Sequence, residues 1–159
     1  ALLVRGLGSS FDVSSAGLLR SGLAPPREMV SAAADYDVDL RAHRSTTLTS
    51  DRARAADLIL CMDGGHPKHI ADIEPAAWNR TFTLREAVGR LGRTTTLHAS
   101  FCEQIAHIGA QRDVKEFLRP PYDDVADPMG MEPFAYSACA ADIAELVEAL
   151  SSHLAGLRG

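Results

Sequence analysis

Cysteine is scarce, long apolar runs are missing and positive charge is in deficit, and each shortage removes a class of protein. The three cysteines, Cys61, Cys102 and Cys139, stand far apart in apolar settings with no paired spacing. That argues against a disulfide framework and for reduced thiols in a cytoplasmic protein. No apolar stretch approaches a membrane span, and no charged start leads into an apolar core and cleavage site. Sixteen Lys and Arg against 21 Asp and Glu give a net charge of −5, with the basic residues scattered along the chain. Such a balance disfavours a nucleic-acid or anionic-membrane partner. An initiator methionine is also missing: Ala1 opens a stretch that already reads as the tail of a helix.

What is present suits one domain over residues 1–159, with a core large enough to fold unaided. Ala1 to Leu7 reads as an amphipathic helix tail stopped at Gly6 or Gly8. Phe11 to Ser15 alternates as a short strand, and Pro26 suits the first turn of a helix through Ala34. Thr49 or Ser50 caps a helix entered through Asp51. Leu58 to Met62 is an unbroken apolar run that reads as a strand buried on both faces of a parallel sheet. A short helix over His66–Ile73 and a strand over Thr81–Leu84 follow, the strand running directly into a helix through Leu91. Leu97, Phe101, Ile105 and Ile108 mark one helical face; Ile143, Leu146, Val147, Leu150 and Leu154 mark another on a closing helix that Cys139 opens. Strands alternating with helices on short connections imply an α/β layered domain, and in such sheets ligands gather at the carboxyl ends of the strands.

The chemistry centres on Tyr122 to Gly130, where three carboxylates, Asp123, Asp124 and Asp127, fall within five residues before Pro128 and Gly130 break the chain. Pro128 drives Asp127 out of the helical region, so the loop presents an acid in a defined place. A carboxyl held in that way can hand a proton to a leaving group, though an Asp-Pro pair is also a common surface turn.

Read in series, Ser14-Ser-Ala-Gly-Leu18, His43-Arg-Ser, Leu58-Ile-Leu-Cys-Met-Asp63, Phe82-Thr-Leu-Arg-Glu86 and Asp123-Asp-Val-Ala-Asp-Pro-Met-Gly130 resemble the low-molecular-weight protein tyrosine phosphatases. The likeness runs over nearly the whole chain and is closest to the bacterial members; one class of arsenate reductases shares the fold. The resemblance implies a three-layer α/β/α domain around a short parallel sheet. It implies hydrolysis of phosphotyrosine or another aryl phosphate, with no cofactor, through a cysteinyl-phosphate. In that family the nucleophile sits in a Cys-x5-Arg-Ser/Thr loop, whose backbone N–H groups and helix N-terminus cradle phosphate and depress the thiol pKa. The arginine there stabilises charge on the equatorial oxygens. By motif match Asp127 is the general acid.

The departures are as specific as the likeness. Six residues after Cys61, Cys102 and Cys139 stand Pro67, Ile108 and Glu145, so no cysteine has the required arginine. The resemblance places the first strand and the phosphate loop before Ala1, and implies a chain truncated at its N-terminus and inactive by itself, within a parent that is active. The missing strand would be the central one, leaving a gap between the Phe11 and Leu58 strands or a poorly behaved fragment. Where family members carry aromatic walls this chain has Leu18-Leu19-Arg20 and Met129-Gly130-Met131, so Leu19, Arg20 and Met129 are the candidate substrate contacts without the stacking component. Ser15 is a candidate support for the missing loop; His43 reads as a buried, hydrogen-bonded histidine, with a place in the site as the alternative. His66 and His69 have metal-like spacing without a matching pair, and the Asp cluster lacks the glycine and closing glutamate of a calcium loop, so no metal is expected. Two other readings stay open: an arsenate reductase using Cys102 or Cys139 as further thiols, and a non-catalytic binding module on the same fold.

Overall fold

The computed structural model describes residues 2–8, 11–94, 100–112 and 124–156. The chain divides into two compact units, Ala1–Leu48 with Ala126–Ser152, and Thr49–Val125 with His153–Gly159. Leu97, Tyr122 and Asp123 lie outside the described residues.

The second unit holds the sheet. Strands β1 (Ile59–Cys61) and β2 (Thr81–Thr83) pair in parallel, with Ile59 opposite Thr81, Leu60 opposite Phe82 and Cys61 opposite Thr83. Parallel neighbours need a crossover. Here it is helix α4 (His66–Ile73) followed by a short 3₁₀ helix (Pro75–Arg80). Before the sheet comes α3 (Ser50–Ala55), whose N-cap Thr49 accepts the Arg52 N–H at 3.3 Å, with Asp51 placed favourably against the helix dipole. Thr83 ends β2 and also caps α5 (Leu84–Leu91), its hydroxyl accepting the Glu86 N–H at 3.1 Å. One residue thus turns strand into helix without a loop. Helix α6 (Phe101–Ala110) packs against the 3₁₀ helix so closely that a Cβ at Gly109 would collide with the Asn79 carbonyl.

Phe82, Leu84 and Ile105 are the largest fully buried apolar side chains of this unit. Beside them lies a web of charge. Glu86 pairs with Arg90 at 2.7 Å and with Arg112 at 2.9 Å. The Arg112 guanidinium lies 4.7 Å from the Trp78 ring centroid and 4.8 Å from that of Phe82, and donates to the carbonyls of Thr81 and Trp78.

In the first unit, α1 (Leu2–Leu7) ends at Gly8, whose φ of +61° is the left-handed stop anticipated there. Gly6 of α1 approaches Ser151 of the closing helix α7 (Pro133–Gly156), and a Cβ would lie 2.5 Å from its hydroxyl. Helix α2 (Arg27–Ala34) follows Pro26, and its Ala32 packs with Tyr136 and Ala140 of α7, flanked by Met29 and Tyr36. Along the part of α7 in this unit, Val147 and Leu150 are buried.

Three local expectations change. Phe11 to Ser15 forms no ladder among the described residues; the pairing of this region is one parallel bridge from Gly17 to Thr47. Alternation alone makes no strand where no partner backbone lies alongside. The Leu58–Met62 run is less buried than its apolar content suggests, because a two-stranded sheet is too narrow to cover both faces; Met62 is 40% exposed. Helix α7 starts at Pro133, so Cys139 lies in its second turn and does not open it.

Candidate active site

Within the first unit, the loop after Ser-Ala-Gly is fastened to the segment that carries His43 and Arg44. Gly17 donates to the Thr46 carbonyl and accepts from the Leu48 N–H, both at 2.8 Å. Gly22 donates to the Ser45 carbonyl at 2.8 Å, and the Ser45 N–H donates to the Leu23 carbonyl at 2.9 Å. Side chains complete the fastening. The Ser45 hydroxyl donates to the Arg20 carbonyl at 2.9 Å and accepts the Leu23 N–H at 3.0 Å. The Thr47 hydroxyl donates to the Leu19 carbonyl at 3.0 Å, and the Thr47 N–H reaches Ser21 Oγ at 2.8 Å. The hydroxyls of Ser45 and Thr47 therefore replace the regular ladder that this stretch lacks. Leu19 and Arg20 have their carbonyls tied down and their side chains in water, Leu19 being 77% exposed.

Ser15 is exposed just ahead of this fastening. His43 is exposed too, which corrects the expectation of a buried histidine. Its hydrogen bonds run through the backbone: its N–H donates to the Leu40 carbonyl, and its carbonyl accepts from Arg44 Nη1 at 2.6 Å. A segment with no helix or strand beneath it leaves the ring uncovered.

The acid loop is equally well defined. Asp127 is exposed, and its Oδ1 accepts the Met129 N–H at 2.9 Å. The Met131 N–H donates to the Pro128 carbonyl at 3.0 Å, Gly130 takes a φ of +77°, and the Gly130 N–H donates to the hydroxyl of buried Tyr136 at 3.2 Å. Together these form a side-chain-capped turn, held from below by a tyrosine, in which Asp127 Oδ2 makes no hydrogen bond among the described residues. Met129 is exposed on the same turn, and Phe134 in the first turn of α7 is 72% exposed. Neither Phe134 nor Tyr136 was anticipated from the sequence. Tyr136 had a detectable signal, an aromatic six residues beyond a glycine that must take positive φ.

In the second unit, the residues just before this turn are pinned at the carboxyl end of β1. The Val125 N–H donates to the Met62 carbonyl at 2.8 Å, and Asp124 Oδ1 accepts the Gly64 N–H at 2.6 Å. Asp124 is thus an N–H acceptor that shapes the loop.

None of the thiols is activated. Burial pushes Cys61 up to about 12; the Arg112 charge pulls against this, while Asp63 and Glu86 add to it. Cys102 is exposed but raised, first by donating to Asp57 Oδ1 at 3.3 Å and then by desolvation. Cys139 is raised by burial, then by the carboxylates of Asp142 and Asp127. A nucleophilic thiolate needs the opposite environment. Among the described residues no three His, Cys, Asp or Glu converge as a metal site.

Comparison with known proteins bears on the fold and the family. The sequence profile of the low molecular weight phosphotyrosine protein phosphatases matches residues 2–98. A curated relative, the probable low molecular weight protein-tyrosine-phosphatase EpsP of Ralstonia nicotianae, is 36% identical over 76 residues, which cover 47% of this chain and 52% of EpsP. The match therefore spans about half the length of that relative. Among solved structures, the YwlE arginine phosphatase from Geobacillus stearothermophilus superposes with a TM-score of 0.72 at 23% identity, covering 98% of this chain and 82% of that one. Vibrio vulnificus Wzb, solved in complex with benzylphosphonate, gives 0.68 at 22% identity over 95% and 84%. At such identities the superpositions speak for the fold alone. The fold and the profile lead to one conclusion: the chain belongs to the low-molecular-weight phosphotyrosine protein phosphatase family.

Proposed function

We propose that this protein serves to hydrolyse phosphotyrosine, or a related aryl phosphate, through a cysteinyl-phosphate, with Asp127 as the general acid. The observation that carries the reading is the Asp127 turn: an exposed carboxyl with one oxygen engaged by the Met129 N–H and the other making no hydrogen bond among the described residues. In the first step a thiolate attacks phosphorus, the bond from phosphorus to the aryl oxygen breaks, and Asp127 gives its proton to the departing phenolate. In the second, the Asp127 carboxylate takes a proton from water, which attacks phosphorus and releases phosphate and the thiolate. The reading requires a Cys-x5-Arg loop supplied from outside these 159 residues, since none of the three cysteines has an arginine six positions on. Without that loop the 159 residues turn over no substrate.

Leu19 and Met129 would offer apolar contact to a phenyl ring, with Ser15 and His43 bordering the site. An aryl substrate is supported by the phosphotyrosine relatives and by Wzb's benzylphosphonate, which pairs a phenyl group with a phosphonate. An arsenate-reductase reading needs reactive further thiols, and the raised Cys102 and Cys139 count against it. A cytoplasmic setting fits this reading; among the described residues no helix is long and apolar enough to cross a membrane.

The test is Asp127→Asn in the chain extended through its nucleophile loop, assayed on an aryl phosphate. Asparagine keeps the oxygen that accepts the Met129 N–H, so the turn survives. The kcat is expected to fall about 10²–10⁴-fold while inorganic phosphate still binds. Unchanged turnover would remove Asp127 from the role.

A further inference from the structure

The fastening in the first unit gathers positive charge that the sequence scatters. Residues 13–26 and 40–50 together contain Arg20, Arg41 and Arg44 and not one carboxylate, in a chain whose net charge is −5. Arg41 is neutralised by Asp39 through a two-point contact, Nε to Oδ1 at 2.9 Å and Nη2 to Oδ2 at 2.7 Å. Arg20 and Arg44 have no such partner: among the described residues neither forms an ion pair. The Ser45 hydroxyl on the Arg20 carbonyl sets these two arginines on adjoining strips of backbone, 25 positions apart in sequence from Arg20 to Ser45. Arg44 is also held in place, with Nη1 donating to the Arg41 carbonyl at 3.0 Å and to that of His43 at 2.6 Å, while Nη2 and Nε make no hydrogen bond among the described residues. A guanidinium oriented by its own backbone loses less freedom on binding an acceptor than one that is free to swing.

We infer that Arg20 and Arg44 form an anion-recognition strip that selects acidic peptide segments, the Asp and Glu side chains flanking the phosphorylated residue of a protein substrate. This deepens the phosphatase reading and rests on it for what the strip serves, since Arg20 directly follows the candidate substrate contact Leu19. Carboxylates are the favoured acceptors for two reasons. Both guanidinium groups are exposed on the surface and not enclosed in a pocket, and the chain's overall negative charge repels a polyanion such as nucleic acid while a short acidic segment meets only the local field.

The test needs no catalysis. Fluorescein-labelled peptides carrying six Asp and Glu residues and no phosphate, and matched Asn and Gln peptides, would be titrated with the 159-residue chain by fluorescence anisotropy at low salt. Preference for the acidic peptide is expected, together with its loss at high salt. Arg20→Ser combined with Arg44→Gln should weaken acidic-peptide binding about threefold to tenfold, in keeping with two exposed charge contacts. The glutamine side chain can still donate an amide hydrogen to the loop carbonyls, and circular dichroism of the variant checks its fold. Arg27→Ser, at another exposed arginine, on α2, should change nothing. Arg20→Glu should move the preference towards a lysine-rich peptide. Equal binding of acidic and neutral peptides, an unaffected double variant, or an equal loss in Arg27→Ser would each overturn the strip. Because the probes carry no phosphate, failure here is separate from failure of Asp127→Asn.

Discussion

Arg112 and Arg20 are the same residue type put to opposite uses, and the regions around them differ in the same way. The Arg112 side chain is 3% exposed, in contact with the Trp78 and Phe82 rings and bonded to Glu86 and two backbone carbonyls. Around it the second unit is held by burial: β2 threads between helices, Thr81 is fully covered, and a glycine is needed where α6 meets the 3₁₀ helix. Arg20 stands in solvent on a loop with almost no core beneath it, kept in shape by hydroxyl and backbone hydrogen bonds. One region resists change because its groups cannot reach water. The other is defined by directional bonds and leaves its side chains free to meet a ligand. Binding and catalytic groups belong on the second kind of surface, carried by the first kind of scaffold.

The largest effect that would break this contrast is at Arg112. Arg112→Met should cost about 3–5 kcal/mol in urea unfolding, since Glu86 would keep only Arg90 in a mostly buried place. Glu86→Leu added to it should restore most of that loss; a single-variant cost near zero would mean that the web does not hold this unit. Next comes Gly109→Ala. Its methyl group has only the Asn79 backbone to push against, so a loss of about 2 kcal/mol is expected in the same measurement. In the loop region the expected costs are smaller. Ser45→Ala should cost about 1 kcal/mol, and hydrogen exchange should quicken at Leu23 while β2 stays protected. Equal quickening at β2 would show that the two regions are not distinguished in this way.

The smallest effect is one of pH. Asp39 is held at about 2 against an ordinary 3.8, first by its hydrogen bonds to Arg41. Its folded value is depressed, so its support for the loop is complete above the ordinary value and is lost as pH falls towards 2. Arg41→Gln should return the carboxyl to the ordinary range in an NMR titration, with little change in melting temperature because the pair is exposed.

Much of this was legible beforehand, and the legible parts share a cause. Thr49 as a cap, Gly8 as a stop, β2 running directly into α5 and the Asp-Pro turn all depend on neighbours within a few positions. The same holds for the lack of an arginine six residues after any cysteine, and for the ordered motifs that identify the family. His43 was misread because its burial depends on what lies over it, and nothing in His-Arg-Ser records that. Phe11 to Ser15 carried the alternation of a strand, but a ladder needs a second backbone, and the sequence assigned that role without a described partner.

By itself, then, the order of residues determined the local turns, the helix caps and stops at Thr49, Thr83 and Gly8, and the family, because short-range sterics and hydrogen bonding decide the turns and caps and the ordered motifs identify the family. Only the tertiary structure decided which arginine is sealed against Glu86 and which are left to water. It alone tied the Arg20 carbonyl to the Ser45 hydroxyl and put the Tyr136 hydroxyl under Gly130. Those outcomes depend on which distant segments come to lie alongside each other, and solvent access and charge pairing are properties of that meeting and of no single stretch of chain.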